Sequence, residues 1–252
     1  MGTGIMDELS WKISRLNEAS STNDIAKTLA FNGCEEGTVV LAQRQTSGRG
    51  RLSRKWISPE GGLWFSIILR PKMLLEDSNL LNVLAPVPIC RVIRDKLGLN
   101  AGIKWPNDIL IDGKKVCGIL IENSVMSGKF EFSVIGVGIN TNISPLSLPR
   151  ELEDKATSLK YELNQEIDND KFLESILSEI GLYYNIFRTR ELDSLLNEWK
   201  ELSCVLGQEI MAYSEGESLD GKALDIDDKG NLIIQINNGD IRRISSASIR
   251  IV

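Results

Sequence analysis

The sequence predicts an α+β fold that ends in a small β-barrel, and three observations support this prediction. In the first part of the chain, predicted antiparallel hairpins lie between predicted helices, which indicates α+β layers rather than a doubly wound sheet. Residues 168–202 carry apolar side chains at steps of three or four, which is typical of a helix packed on a core. After Cys204, short strands recur about every ten residues, as in small barrels. We therefore predict a domain boundary near Ser203.

Cap residues, β-branched runs and turn pairs define the predicted elements of the first part. Ser21 followed by Asp24 predicts the start of a helix, and Asn32 with Gly33 predicts its end. An Asp-Gly pair predicts a tight hairpin turn, because glycine tolerates the positive φ that such a turn requires. The other predicted elements are strands at 38–42 and 63–69, a proline-broken helix at 80–97, a hairpin at 109–122 and a strand at 130–140.

The predicted barrel contains four short strands after Cys204. Two clusters of Asp, Asn, Gly and Lys separate them and predict turns. The strands are predicted at 209–213, 219–226, 232–236 and 241–244.

Composition excludes several classes of function. The chain has 252 residues, and 29 Lys and Arg against 35 Asp and Glu give a net charge of −6. This acidic total provides no general field for nucleic acid or an anionic membrane, so we expect neither as a partner. The sequence contains no histidine, which excludes Ser-His-Asp and Cys-His nucleophile systems and His-ligated zinc.

Cysteine usage and the N-terminal sequence predict a cytoplasmic protein. The four cysteines are far apart and form no C-x-x-C pair, so we expect buried thiols in a reducing compartment. The first eight residues lack a basic region followed by an apolar run, so no signal peptide is expected. No run approaches the ~18 apolar residues that a membrane-spanning helix needs.

A cationic, glycine-containing segment at residues 43–56 is the strongest functional signal. Between residues 42 and 59 there are five basic residues and no acidic one. Gly48 and Gly50 flank Arg49, so the backbone is free to approach a ligand closely, and Arg51 follows. Arginine forks suit phosphate and carboxylate oxygens, and Trp56 could stack on a base. A solvated basic loop is the alternative. We favour nucleotide or phosphate binding, although the Walker-type phosphate loop is absent.

Two further segments are less specific by themselves. Residues 104–109 read Lys-Trp-Pro-Asn-Asp-Ile, which places Asn107 and Asp108 at the mouth of a strand. A turn with an exposed hairpin is the simpler interpretation, and periodicity alone favours it. In residues 135–140, Gly136 and Gly138 lie in an apolar strand. The later glycine of a dinucleotide-binding fingerprint is absent, so a Rossmann motif is not favoured. The two glycines instead indicate a place where a ligand or a neighbouring strand comes close to the backbone.

Taken in order, these motifs resemble the biotin protein ligase family. They are Ser21-Thr22-Asn23, Gln45 with residues 48–56, residues 104–108, residues 115–119 and residues 136–140. The resemblance covers roughly residues 10–252 and includes residues 246–250, which are similar to the family's closing strand. It implies a catalytic domain related to class II aminoacyl-tRNA synthetases (residues 1–203), with a mixed, largely antiparallel sheet, and an SH3-like barrel (204–252). It also implies two steps: biotin and MgATP give biotinyl-5′-adenylate, and a carrier lysine then displaces AMP.

The resemblance also implies a role for individual residues, with no metal ligand assigned. The implied catalytic residues are Arg49, Arg51, Lys115 and Asp108. The implied biotin-binding residues are Ser21, Thr22, Asn23, Gln45, Arg49, Gly50, Arg51, Lys115 and Gly118. The implied ATP-binding residues are Arg51, Arg54, Trp56, Asn107, Lys115 and Asn140. Hydroxyl and amide groups suit a buried urea, and cations are needed where a carboxylate meets a triphosphate.

Two departures from the family pattern and two alternatives accompany this interpretation. Leu52 and Ser53 stand where relatives often carry a glycine, and Cys117 replaces a small apolar residue. About ten residues precede the catalytic pattern, so we expect a ligase without a DNA-binding domain. The expected protein partner is a biotin carboxyl carrier protein or domain. The resemblance is also compatible with a homodimer. The alternatives are a lipoate-type ligase and a non-catalytic regulator that senses biotinyl-adenylate.

Overall fold

A computed structural model of the protein describes residues 9–214 and 216–252. The described chain forms a seven-stranded sheet with helices on both faces, followed by a separate five-stranded sheet. The N-terminal octapeptide, in which no signal peptide is expected, lies outside the described residues. Among the helices of the described part, none combines the length and the apolarity needed to cross a membrane.

The large sheet is mixed and largely antiparallel, as expected. Its strand order is β1-β2-β3-β7-β6-β5-β4, and only the β1–β2 pair is parallel. The strands are β1 (Lys12–Ala19), β2 (Thr38–Gln45), β3 (Leu63–Leu69), β4 (Ala101–Lys104), β5 (Asp108–Ile111), β6 (Lys114–Met126) and β7 (Lys129–Ile139). The sequence did not predict β1, because this edge strand is mostly exposed and lacks a buried apolar face.

Three helices cover one face of this sheet and bury the main core. The helices of the chain are α1 (Thr22–Phe31), α2 (Leu81–Leu84), α3 (Pro86–Leu97), α4 (Arg150–Glu153), α5 (Leu159–Leu163), α6 (Asn169–Thr189) and α7 (Leu192–Leu202). α3, α6 and α7 pack together against apolar side chains of the central strands. The predicted continuous helix at 168–202 is wrong at one point: Arg190 takes a left-handed conformation (φ 62°) and separates α6 from α7.

The opposite face of the sheet is only partly covered. α1 packs there against β2, β3 and β7 through a small apolar cluster that includes Ala26, Val40 and Ile68. Ser21 precedes α1 as predicted, but its side chain makes no capping hydrogen bond. The rest of this face stays open beside α1 and forms the floor of a cleft.

The second sheet is antiparallel and lies against the end of the first. Its order is β11-β10-β9-β8-β12, with β8 (Glu209–Ser214), β9 (Glu217–Ile226), β10 (Leu232–Ile236), β11 (Ile241–Ile244) and β12 (Ser248–Ile251). The predicted strands of this region are confirmed. Cys204 N donates to Ile103 O (3.0 Å), and Trp105 Nε1 donates to Gly230 O (3.1 Å). These bonds hold the small sheet beside β4, at the open end of the cleft.

Candidate active site

One cleft of about 340 Å³ contains every residue that the sequence assigned to a site. That volume is in the range of small-molecule sites. The cleft lies between the open face of the large sheet, the N-terminus of α1, the loop after β2 and the segment that leads into β12. The structure therefore brings together motifs that are separated by more than two hundred positions in the sequence.

Strand register produces the floor of this cleft. Directly paired residues run across the sheet from β3 to β4, and paired residues of neighbouring strands share a face. The row is Trp64, Gly138, Gly118, Asp108 and Lys104. The row thus begins with an aromatic residue, passes two glycines and ends in two charged residues.

The N-terminus of α1 forms a buried polar pocket at one end of the cleft. Ser21, Thr22 and Asn23 are all at most 4% exposed. Gln45 Oε1 accepts from Thr22 N (2.8 Å) and from Thr22 Oγ1 (3.1 Å), and Gln45 Nε2 donates to Ser58 Oγ (2.9 Å). Buried amides need such partners, because an unpaired buried donor costs about 1–3 kcal/mol. These bonds fix the Gln45 carboxamide before any ligand arrives.

Asn23 is held as firmly as Gln45. Its Nδ2 donates to Glu122 Oε2 (2.8 Å), and its Oδ1 accepts from Ser66 Oγ (2.6 Å). A Cβ at Gly136 would lie 2.0 Å from Asn23 Oδ1, so only glycine leaves room for this carboxamide. Gly136 was noted in the sequence as a site of close approach, and its neighbour is this side chain. Glu122 was missed, and its only signal was an acid directly after the apolar run at 116–121 of the same strand.

The cationic segment after β2 folds back on itself as a short strap (residues 48–56). Trp56 N donates to Gly48 O (2.9 Å), and Gly50 N donates to Arg54 O (2.7 Å). At its tip, Leu52 and Ser53 have φ values of 54° and 57°, the left-handed region that favours glycine. The family departure at these two positions therefore falls where the backbone conformation is least favourable for a side chain.

The Arg49 guanidinium anchors the strap to α1. It donates to both carboxylate oxygens of Asp24 (2.6 and 2.9 Å), and it lies 3.5 Å from Glu122 Oε2. The hydrogen bond to Asp24 raises the pKa of Arg49. Burial favours a higher pKa for Glu122, but hydrogen bonds from Lys27 and Asn23 outweigh it and lower that pKa. Arg49 thus binds protein carboxylates in this structure.

Arg51 and Arg54 contact the segment that leads into β12. Arg51 donates to Asn107 Oδ1 (3.3 Å), to Ala247 O (3.3 Å) and to Ser246 Oγ (2.5 Å). Arg54 donates to Ser248 Oγ (3.2 Å). Burial lowers the pKa of Arg51. The small C-terminal sheet therefore completes the cleft. Residues 246–250 resemble the family's closing strand in sequence, but they were not predicted as part of the site, because the pattern gives no sign of their contact with the distant arginines.

Trp56 covers the two glycines at the centre of the floor. A Cβ at Gly138 would lie 2.4 Å from Trp56 Nε1, and one at Gly118 would lie 3.0 Å from Trp56 Cζ3. The indole also packs edge-on against Trp64, with ring centroids 6.3 Å apart. Side chains on these strands would displace the ring, so the glycine pair gives a flat aromatic its place in the cleft.

Lys115 and Asp108 form an ion pair beside Trp56. Lys115 Nζ lies 2.6 Å from Asp108 Oδ1 and 4.9 Å from the centre of the Trp56 ring. Lys115 faces the cleft because a bulge interrupts the β5–β6 pairing: Cys117 pairs with Ile109, but Lys115 pairs with Leu110. A bulge of this kind redirects a side chain. Cys117 is fully buried, in agreement with its prediction as a packing residue.

The two predicted amide residues have different surroundings. Asn107 follows Pro106 in the β4–β5 turn, and its Nδ2 donates to Ile119 O (2.5 Å) while its Oδ1 accepts from Arg51. Asn140 is buried, and its Nδ2 donates to Thr157 O (2.9 Å). Asn140 thus fixes the segment after α4 against the end of β7, at the edge of the cleft.

The cleft holds a large excess of positive charge within an acidic protein. Among the described residues that line it, seven are cationic and Asp108 is the single carboxylate. The cations are Arg49, Arg51, Arg54, Lys55, Lys104, Lys115 and Lys155. Lys104, Lys155 and the apolar pair Leu148 and Leu152 were missed as site residues. Such an excess suits a polyanionic ligand.

Two family profiles match this chain. The Biotin/lipoate A/B protein ligase family matches residues 17–140, and the Biotin protein ligase C terminal domain matches residues 205–251. The Bifunctional ligase/repressor BirA of Bacillus subtilis is 40% identical over 233 residues, which are 92% of this chain and 71% of that protein. The chain belongs to the biotin protein ligase family. The predictions of this family, of a ligase enzyme and of the α+β fold are therefore confirmed.

Other members of the biotin protein ligase family agree with this assignment. The Biotin--[acetyl-CoA-carboxylase] ligase of Paracoccus denitrificans is 31% identical over 229 residues, or 87% of this chain and 92% of that protein. The solved biotin protein ligase from Aquifex aeolicus, in complex with biotin and ATP, is 30% identical with a TM-score of 0.81. That comparison covers 95% of this chain and 99% of the other.

Proposed function

We propose that this protein activates biotin with ATP as biotinyl-5′-adenylate and transfers the biotinyl group to a lysine of a biotin carboxyl carrier protein. One observation carries the proposal: a single cleft joins a pocket of neutral side chains, in which protein hydrogen bonds hold Gln45 and Asn23, to a lining that has seven cations and one carboxylate. A ligand that is neutral at one end and reacts with a triphosphate at the other fits both parts.

In the first step a biotin carboxylate oxygen attacks the α-phosphorus of ATP, and pyrophosphate leaves. The pocket of Ser21, Thr22, Asn23 and Gln45 would hold the ureido ring of biotin. Gly50 and Gly118 would lie along the aliphatic chain that joins this ring to the biotin carboxylate. Lys115 and Arg51 would neutralise the carboxylate and the α-phosphate, and Arg54 the rest of the triphosphate. Charge stabilisation by fixed cations is usually the largest catalytic contribution.

The nucleotide base would stack on Trp56, with Asn107 and Asn140 at the edge of its site. For the base to reach the ring, Lys115 must leave the Trp56 face and follow the phosphate. To bind ligand oxygens, Arg49 would have to leave Asp24 and Glu122 and so lose a bidentate ion pair. We therefore propose that Arg49 mainly holds the strap closed and does not primarily bind phosphate.

In the second step the carrier lysine amine attacks the adenylate carbonyl, AMP leaves, and the nitrogen loses a proton. Asp108 would accept a hydrogen bond from this amine, because it is the single carboxylate among the described residues of the cleft. Transfer thus follows once Lys115 has left Asp108 and contacts the adenylate phosphate, because Asp108 is then free to bind the amine.

Mg²⁺ would enter this site with ATP. Mg²⁺ keeps several waters and usually binds through substrate phosphates plus one or two carboxylates. Asp108 fits this pattern as a protein ligand, and within the described residues no group of three Asp, Glu, Cys or His could hold a metal without a substrate. When bound, the ion supplies neutralisation of phosphate charge.

The two alternatives predict different substrates. A lipoate-type ligase would activate lipoate, whereas the C-terminal profile match supports biotin. A sensing regulator would bind biotinyl-adenylate without transferring it, although the Lys115–Asp108 pair supports transfer. Biotin-dependent ATP–pyrophosphate exchange, with lipoate as the comparison, tests the first point. No exchange with biotin would contradict the proposal.

Transfer to the carrier needs its own test. With preformed biotinyl-adenylate and a carrier domain, we expect Asp108→Asn to slow transfer by roughly 10²-fold or more, as for other positioned acid–base groups. Asp112→Asn, in the hairpin turn outside the cleft, is the control. An unchanged transfer rate in Asp108→Asn would remove Asp108 from this step.

Further statements about the chain remain proposals. We place the domain boundary between residues 203 and 204, which is supported by the end of α7 at Leu202 and by the two separate profile matches. The carrier protein as acceptor, the homodimer and the cytoplasmic location stay predictions from the sequence.

A further inference from the structure

Lys104 is one of three cations of the cleft, with Lys55 and Lys155, that the proposed function leaves without a task. It is the last residue of β4, at the end of the row that crosses the cleft floor. Its cross-strand partner is Asp108, yet the Asp108 carboxylate pairs with Lys115 at 2.6 Å. Within residues 9–214 and 216–252, Lys104 Nζ makes no hydrogen bond or ion pair.

The surroundings of Lys104 are unfavourable for its charge. Burial lowers its pKa most, Lys115 and Arg54 lower it further, and Asp108 only partly opposes this. Three cations thus share one carboxylate in a partly buried space. A buried charge without a partner is costly, so an anion bound beside Lys104 would offset this cost.

The row of paired residues across the sheet indicates in which order the parts of the substrates lie along the cleft. The neutral pocket touches β7 at Gly136, and the glycine pair and Lys115 lie on β7 and β6. Asp108 and Lys104 follow on β5 and β4. Neighbouring strands are about 4.8 Å apart, so three steps place Lys104 about 14 Å beyond β7. This distance leaves room for a reacting phosphorus between the two ends.

Phosphoryl chemistry requires the attacking and leaving oxygens to be roughly in line. If the carboxylate approaches from the β7 side, the leaving group departs toward β5 and β4. On that side stand Lys104, Arg54 and the Asp108 carboxylate.

We propose that Lys104 is a further catalytic residue, which binds the departing pyrophosphate and stabilises its charge during adenylate formation. This assignment rests on the proposed function. As the carboxylate oxygen bonds to the α-phosphorus, the bond from that phosphorus to the bridging oxygen breaks. Its electron pair stays on pyrophosphate, where the Lys104 ammonium donates a hydrogen bond. No oxidant, reductant or proton transfer is needed.

The half-reactions separate this role from a structural one. In single-turnover measurements at saturating ATP, we expect Lys104→Met to form biotinyl-adenylate about 100-fold more slowly, as when one charge-stabilising donor is removed elsewhere. Transfer from supplied biotinyl-adenylate to the carrier should keep the wild-type rate, because pyrophosphate takes no part in it. Lys104→Arg should recover most of the lost rate. Lys114→Met, a lysine outside the cleft on the neighbouring hairpin, is the matched control.

Direct binding of inorganic pyrophosphate, measured by calorimetry, keeps the test independent of turnover. Weaker binding to Lys104→Met than to Lys114→Met supports the subsite even if the wild type forms no adenylate, a result that would refute the proposed function alone. Equal pyrophosphate binding by the two variants overturns the role of Lys104. So does a loss in transfer as large as the loss in adenylate formation.

Discussion

The two ends of the cleft are built on opposite principles. At the α1 end, Gln45 and Asn23 have their polar atoms paired with neighbouring protein groups, and the backbone around them is regular. At the β4 end, cations outnumber carboxylates and reach into the cleft on long side chains. A neutral, rigid ligand is recognised by groups fixed in advance, whereas a polyanion is recognised by positive charge left uncompensated.

This contrast also separates two kinds of energetic cost. Hydrogen-bonded amides cost little in the ligand-free protein, but replacing one leaves a buried partner unpaired. Uncompensated cations are unfavourable before binding and become favourable when the phosphates arrive. Changes at the α1 end should therefore affect biotin affinity, and changes at the β4 end should affect reaction rate.

The largest expected effect is that of Lys115→Ala on adenylate formation. We expect a loss of about 10²–10³-fold in the single-turnover rate with little change in biotin affinity, because this ammonium would stabilise charge that develops during reaction. Rapid quenching with labelled ATP measures it. Lys114→Ala is the control on the same strand. A variant that loses biotin affinity instead would break the proposed division between the two ends.

An intermediate effect is expected for Gln45→Leu. This change leaves Thr22 N without its acceptor and removes the carboxamide from the pocket. At about 1–3 kcal/mol for an unsatisfied buried donor, KM for biotin should rise roughly 10–100-fold with a much smaller change in kcat. Gln43→Leu, exposed on the same strand, is the control. An equal rise in KM for ATP would argue against a separate biotin pocket.

The smallest effect concerns Glu122 and pH. Its pKa is lowered in the folded protein from the ordinary value of 4.5, so ionised Glu122 stabilises the fold above that pH. This contribution should fall away as the pH drops below about 4.5 through the folded-state pKa. Glu122→Gln should lack this part of the acid dependence in urea unfolding series. Glu131→Gln, on the neighbouring strand, serves as the reference. Parallel pH profiles for wild type and Glu122→Gln would mean that Glu122 does not stabilise Asn23 and Arg49 by charge.

Much of the architecture follows from local sequence. Turn pairs and β-branched runs predicted β2, β3, the β5–β6 hairpin and the strands of the small sheet, because these features act over a few residues. The edge strand β1 and the break at Arg190 were not predicted, since neither has a local apolar or proline signal. The resemblance to the family assigned the site residues, and the structure places all of them in one cleft. Their individual roles stay predictions.

The sequence by itself determined the chemistry that is available: no histidine, an arginine-glycine strap, and glycines where only hydrogen fits. Tertiary structure decided what those groups do. The bulge that turns Lys115 into the cleft, the Asp24–Glu122 anchor of Arg49 and the contact of residues 246–248 with the strap all join distant segments. Register and long-range pairing depend on the packing of the whole chain, so no local pattern could specify them.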